Sequence, residues 1–176
     1  LGDVYKRQFS DWVHNLNIND VPEEVVKKLQ LIVMDSFGLM ISAKNEPYIK
    51  SLINALQEQG NCTLVGHNKN TNPFNASIIN GTAIHGEDFD DTFEGTPVHV
   101  GSVMVPAMLS SAQAKNLDGE NFLKGLVGGS ELICRLALVA PTAVHRQGFH
   151  PTAIFGAFGS SIGVSSLLGN SIDEMS

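Results

Sequence analysis

Apolar positions recur at helical spacing along most of the chain. Val25, Val26, Leu29, Ile32, Val33, Phe37, Met40 and Ile41 fall three or four residues apart, or adjacent, and predict a helix to about Ala43. Asp20 reads as its N-cap, Pro22 lies near the first position, and Glu23 and Glu24 fill the first turn. Pro47 opens a second helix through Ile49, Leu52, Ile53 and Leu56, ending near Gly60. Pro73 starts a third, in which Phe74, Ala76, Ile78, Ile79, Ala83 and Ile84 lead directly into His85. Ser102 reads as the cap of a helix to about Asn116, with Pro106 near its first turn, where proline costs little. Asp118-Gly119-Glu120 begins another, apolar from Phe122 to Leu138, and His150-Pro151 begins a Gly/Ala/Ser-rich helix to Leu168. "FSDWVHNL" (9–16) makes an amphipathic turn or two, and "CTLVG" (62–66) is a brief strand-like run. The pattern predicts an all-α, multi-helix domain of six or seven helices, without internal repeats.

Composition narrows this. The 176 residues suffice for one domain with a sizeable core. With 43% hydrophobic and 16% charged residues, the chain reads as globular rather than disordered. Only 7% is aromatic while Gly is frequent, which favours close helix packing through small residues. The net charge of −7 argues against a nucleic-acid partner or an anionic membrane surface, and an anionic substrate would need a local positive site. Cys62 and Cys134 are too few for a disulfide framework and read as buried thiols in a reducing compartment. No apolar run reaches the roughly 20 residues that span a bilayer, and the N-terminus shows no signal-peptide core. A cytoplasmic location is therefore expected. "LGDVYKRQ" (1–8) has no starting Met and fits no following pattern; it reads as a translated adapter or cloning scar, leaving a helical domain at 9–176. The C-terminal end, stopping as a new capped segment begins, reads as that of a piece of a longer chain.

The chemistry concentrates in "HGEDFDDTFEGTPVHVGS" (85–102), where Glu87, Asp88, Asp90 and Asp91 lie between two histidines. If the helix ending at His85 continues through Asp91, then His85, Asp88 and Asp91 or Thr92 share one face, while Glu87 and Asp90 face solvent. A calcium loop fails, because Phe93 stands where glycine is needed and His99 where a bidentate glutamate is needed. A metal site of His85, Asp88 and His99 has acceptable ligand types but no recognised signature. Acid–base chemistry fits better. His99 and His150 each lie at the start of a helix, a natural carboxylate site, whose dipole disfavours imidazolium and keeps a neutral base available. "GSSIG" (159–163) matches a nucleophile elbow at Ser161, but its flanks read as one continuous helix and its glycines as a packing groove. His14 and His67 read as surface residues; His145 and Arg146 read as an exposed loop that adds positive charge near His150.

"NGTAIHGEDFDDT" (80–92), "HVGSVMVPA" (99–107) and "GFHPTAIFGAFGSSIGVSSLLG" (148–169) together resemble the MmgE/PrpD family, from about residue 9 onward. That family includes 2-methylcitrate dehydratase, cis-aconitate decarboxylase and iminodisuccinate epimerase. The resemblance implies the N-terminal part of a large helical domain, with an inserted α/β domain and further helices beyond residue 176. It implies an enzyme on small polycarboxylates, most simply a hydro-lyase of the 2-methylcitrate dehydratase type, a homodimer when full length, with no metal or organic cofactor. Asp88 and Thr92 match the motif's acid and hydroxyl, His99 its proton-transfer histidine, and His150 its second histidine. Two departures stand out: Val100 replaces the usual proline, and the loop before His99 differs in length and sequence. The family's site lysine and tyrosine would lie beyond residue 176, so the isolated segment is expected to be inactive. The expected scheme gives proton transfer to His99, orientation of His99 or a hydrogen bond to substrate to Asp88, and substrate carboxylates to Thr92 and His150. The competing class is a non-catalytic helical interaction domain whose acidic loop is solvated surface.

Overall fold

The computed structural model describes residues 2–176; Leu1, the first residue of the segment read as an adapter, lies outside the described residues. The chain is mostly helical, with a single two-stranded ladder among the described residues. In order, α1 is Gly2–His14, α2 Glu23–Ala43, α3 Pro47–Ala55, β1 Cys62–Thr63, β2 Asn70–Thr71, α4 Pro73–His85, α5 Val100–Lys115, α6 Gly119–Val139, α7 Ala143–Arg146, α8 Pro151–Leu168 and α9 Ile172–Met175. Residues 2–8 are helical and continuous with 9–14 in α1. Arg7 of this stretch donates to Asp173 Oδ1 in α9 at 2.6 Å.

α5 forms the centre. Val100, Met104, Val105, Met108 and Ala112 are all buried, and the helix packs against α4, α6 and α8. Met104 and Met108 are fully buried, as are Ile79 and Ile84 of α4, Leu126 and Ile133 of α6, and Leu167 of α8. α6 and α8 approach backbone to backbone. A Cβ added at Gly129 would lie 2.6 Å from the Gly159 carbonyl oxygen, and one at Gly163 2.8 Å from that of Gly125. Only glycine fits such a crossing, so the "GSSIG" segment is indeed helix packing, with Ser161 exposed in the middle of α8. α8 is long and apolar enough to cross a membrane by length and composition alone, and half of it is buried inside the protein.

Several helix boundaries depart from expectation, each for a local reason. Asp20 does not cap α2; it belongs to a 3₁₀ turn, Ile18–Asp20, capped by the Asn17 side chain, and Pro22 takes the N-cap position of α2 without a side-chain bond. α3 ends at Ala55, short of Gly60. α4 stops at His85, so the acidic stretch is a loop: Asp88 adopts a left-handed conformation, φ 55°. α5 begins at Val100, so Ser102 is inside it, and its cap comes from a distance, the Gly101 N–H donating to Asp91 Oδ1 at 2.8 Å. Pro106 consequently sits in the helix interior. Its missing N–H leaves the Ser102 carbonyl without its helical partner, and α4 packs there through Gly81, where an added Cβ would lie 3.2 Å from that oxygen. Asp118 caps α6 as expected, accepting from the Glu120 and Asn121 N–H groups at 3.1 Å.

Candidate active site

Three elements converge on one place. The C-terminal end of α4 carries His85, the residue before α5 is His99, and the residue before α8 is His150. The last two helix starts are tied together, because the His99 backbone N–H donates to Thr152 Oγ1 at 3.0 Å. Thr152 is buried in the first turn of α8. The His85 and His99 rings stand 4.8 Å apart between centroids, and the His85 and His150 rings 5.6 Å. His85 and His150 line a shallow cleft of about 410 Å³ with Ser102, Thr152 and Ala153. His99 is not among the residues that line it, and its side chain is 13% exposed.

Asp90 holds this group together. Its side chain has no exposed surface, and His85 Nδ1 lies 3.0 Å from each of its two oxygens. His99 Nδ1 is 3.3 Å from Asp90 Oδ1, within ion-pair range but off the line of a hydrogen bond; the atom is buried and makes no other hydrogen bond. Asp88, by contrast, is 80% exposed, with Oδ1 3.8 Å from His99 Nε2. The acidic loop is braced from outside, Tyr48 Oη donating to Glu87 Oε1 at 2.9 Å, and inside by the Phe93 N–H donating to the Val98 carbonyl at 2.9 Å.

The charges follow from burial. His150 titrates below the usual imidazole range, chiefly because of desolvation in the cleft and then because of the His85 and His99 rings. The expected lowering at this position is present, with burial as its largest cause and the neighbouring imidazoles next. Burial pushes the Asp91 carboxyl up, Asp90 adds to this, and the Gly101 N–H opposes it. Burial also pushes the Cys134 thiol up to about 11, helped by Glu131 and Asp91.

Of the four residues expected to form the site, the structure brings His99, His150 and Asp88 to one place. Thr92 is elsewhere. It is exposed and lines a larger, mostly apolar cleft of about 790 Å³ with Asp35, Asp91, Phe93, Ser130 and Cys134. None of the three imidazoles lines that cleft. Asp90, expected to face solvent, is the buried centre of the group. His85 and Thr152 were not singled out for proton chemistry either. One ligand atom from each of His85, Asp88, Asp90 and His99 lies within 4.8 Å of the others, so these four could also hold a divalent cation. Chemically, the arrangement offers imidazoles beside a buried carboxylate, which can accept or deliver one proton and orient a bound anion.

An all-α domain with clustered imidazoles at two helix starts defines the class, and similarity to known proteins defines the family. Residues 7–176 match the MmgE/PrpD N-terminal domain, and the chain belongs to that family. It is 27% identical, over 95% of its length, to a cis-aconitate decarboxylase-like protein of Aspergillus oryzae, and covers 37% of that protein. It is 22% identical over 93% of its length to cis-aconitate decarboxylase of Aspergillus terreus, covering 35% of it. It is 27% identical over 94% of its length to cis-aconitate decarboxylase of Mus musculus, covering 36% of it. The chain thus spans little more than a third of the length of the curated relatives it matches.

Proposed function

We propose that this chain supplies the proton-transfer part of a lyase site for a small polycarboxylate, of the cis-aconitate decarboxylase kind. The observation that carries the reading is the meeting of His85, His99 and His150 beside a fully buried Asp90, at the starts of α5 and α8. Family membership and the names of the relatives supply the substrate class. Loss of carbon dioxide from such a substrate leaves electron density at carbon, and a proton must then be delivered there. Elimination of water instead requires a proton to be taken from carbon, so the same residues serve a 2-methylcitrate dehydratase. Decarboxylation is preferred because the relatives matched across 92–95% of the chain carry that name.

In this reading His99 transfers the proton. Asp88, exposed 3.8 Å from His99 Nε2, hydrogen-bonds substrate or steadies the ring. His150, held neutral by burial, donates a hydrogen bond to a substrate carboxylate at the start of α8, where free N–H groups favour an anion. Thr92, expected to hold a substrate carboxylate, lines the neighbouring cleft. The test is turnover of cis-aconitate and of 2-methylcitrate by the full-length protein and its His99→Ala variant. General acid–base groups contribute roughly 10²- to 10⁴-fold, so kcat should fall by at least about a hundredfold with unchanged circular dichroism. Near-wild-type kcat would refute the role of His99. Failure of the folded wild-type protein to bind either compound calorimetrically would favour a non-catalytic interaction domain.

A further inference from the structure

We infer that Asp90 is a positioning residue that fixes the tautomer of both His85 and His99 and stabilises the imidazolium formed when His99 takes up a proton. This rests on the proton-transfer reading above and adds a residue to it. Three observations carry it. The Asp90 side chain is completely buried, in a loop whose other carboxylates are more exposed. His85 Nδ1 sits 3.0 Å from both of its oxygens, so an ionised carboxylate, which only accepts, holds the proton of His85 on Nδ1 and leaves Nε2 with its lone pair. His99 Nδ1 is buried without a hydrogen-bond partner, and Asp90 Oδ1 is 3.3 Å away. Placing the proton of His99 on Nδ1 leaves Nε2, on the side of Asp88, as the basic atom.

His99 Nε2 receives one proton, the ring becomes imidazolium, and its Nδ1–H, 3.3 Å from Asp90 Oδ1, turns to donate to that oxygen. Asp90 stays ionised throughout and takes no proton. When His99 Nε2 gives the proton up, the neutral Nδ1–H ring returns. A buried carboxylate beside a ring that alternates in charge stabilises the charged form without solvent reorganisation.

Substituting Asp90→Asn tests this, because asparagine offers one acceptor oxygen and one donor nitrogen. In either amide orientation its NH2 group takes the place of an oxygen that lies 3.0 Å from His85 Nδ1, so it opposes an Nδ1–H on that ring. Nitrogen-15 histidine spectra of the wild-type protein should show the Nδ1–H tautomer at both His85 and His99, and the variant should convert one of them to Nε2–H. In the full-length enzyme kcat on cis-aconitate should drop about 10- to 100-fold, as for other residues that orient a reacting group, with KM within about threefold. Retained kcat in a turning-over enzyme, or an unchanged tautomer at both rings, would overturn the role. So would an Nε2–H tautomer at His99 in the wild-type spectrum, a readout that needs no variant to fold and no substrate. Stoichiometric zinc retained through purification on His85, Asp90 and His99 would also overturn it, since metal would replace the Nδ1 protons. Absence of wild-type turnover on any polycarboxylate would sink the proposed reaction instead, and the tautomers would still decide the role of Asp90.

Discussion

Two adjacent acidic groups of the loop do different work. Asp90 faces two imidazoles, whereas Asp91 turns to the other side and accepts from the Gly101 N–H at the start of α5. Asp91→Ala should cost about 1–2 kcal/mol in urea unfolding, since it strips a helix start of its side-chain acceptor; a midpoint unchanged from wild type would contradict this. Cys134 offers a second check. Its thiol is an acid whose pKa lies near 11 in the fold, against 9.0 ordinarily. The group therefore favours the folded state fully below pH 9, and that contribution is lost as pH rises through 11. At pH 8 its thiolate fraction, and so iodoacetamide labelling, should be about a hundredfold below that of the unfolded chain, as followed by mass spectrometry. Equal native and unfolded rates would count against the burial. The sequence showed His99 and His150 because each precedes a helix start, but it hid Asp90. The face assigned to Asp90 assumed a helix through residue 91, and the left-handed turn at Asp88 reverses it.

At the level of elements, the crossing of α6 and α8 is set by glycine. Gly129→Ala should destabilise the protein by about 1–3 kcal/mol, because the methyl group would be forced against the Gly159 carbonyl, 2.6 Å away. Gly38, exposed in the middle of α2, has nothing within 4 Å of an added Cβ. Gly38→Ala should stabilise by up to about 1 kcal/mol through helix propensity. Thermal melts of the two variants should move in opposite directions, and a parallel shift would contradict the packing described. The small-residue helix was legible from "GAFGSSIG", since glycine at that density in an apolar helix has few uses other than close packing. The starts of α2 and α5 were not. In both, a nearby capping-type residue, Asp20 or Ser102, was present, while the position at the helix end was decided by Pro22 and by Asp91 from eight or more residues earlier. Long-range capping leaves no local trace.

The whole molecule places its chemistry where α4 ends and α5 and α8 begin, with α5 as the buried spine linking the three. The all-α class followed from periodicity alone. The meeting of His99 and His150 was expected from their places at two helix starts and from the family resemblance, whereas the part of His85 in it was not, because that depends on how helices cross. The most direct test of the central claim is proton nuclear magnetic resonance of the full-length protein with cis-aconitate in deuterated water. Catalysed release of carbon dioxide, with one deuteron appearing on carbon in the five-carbon product and both lost in a His99→Ala variant, is the expected result. A folded, substrate-saturated protein that neither consumes cis-aconitate or 2-methylcitrate nor moves a deuteron onto carbon would contradict it.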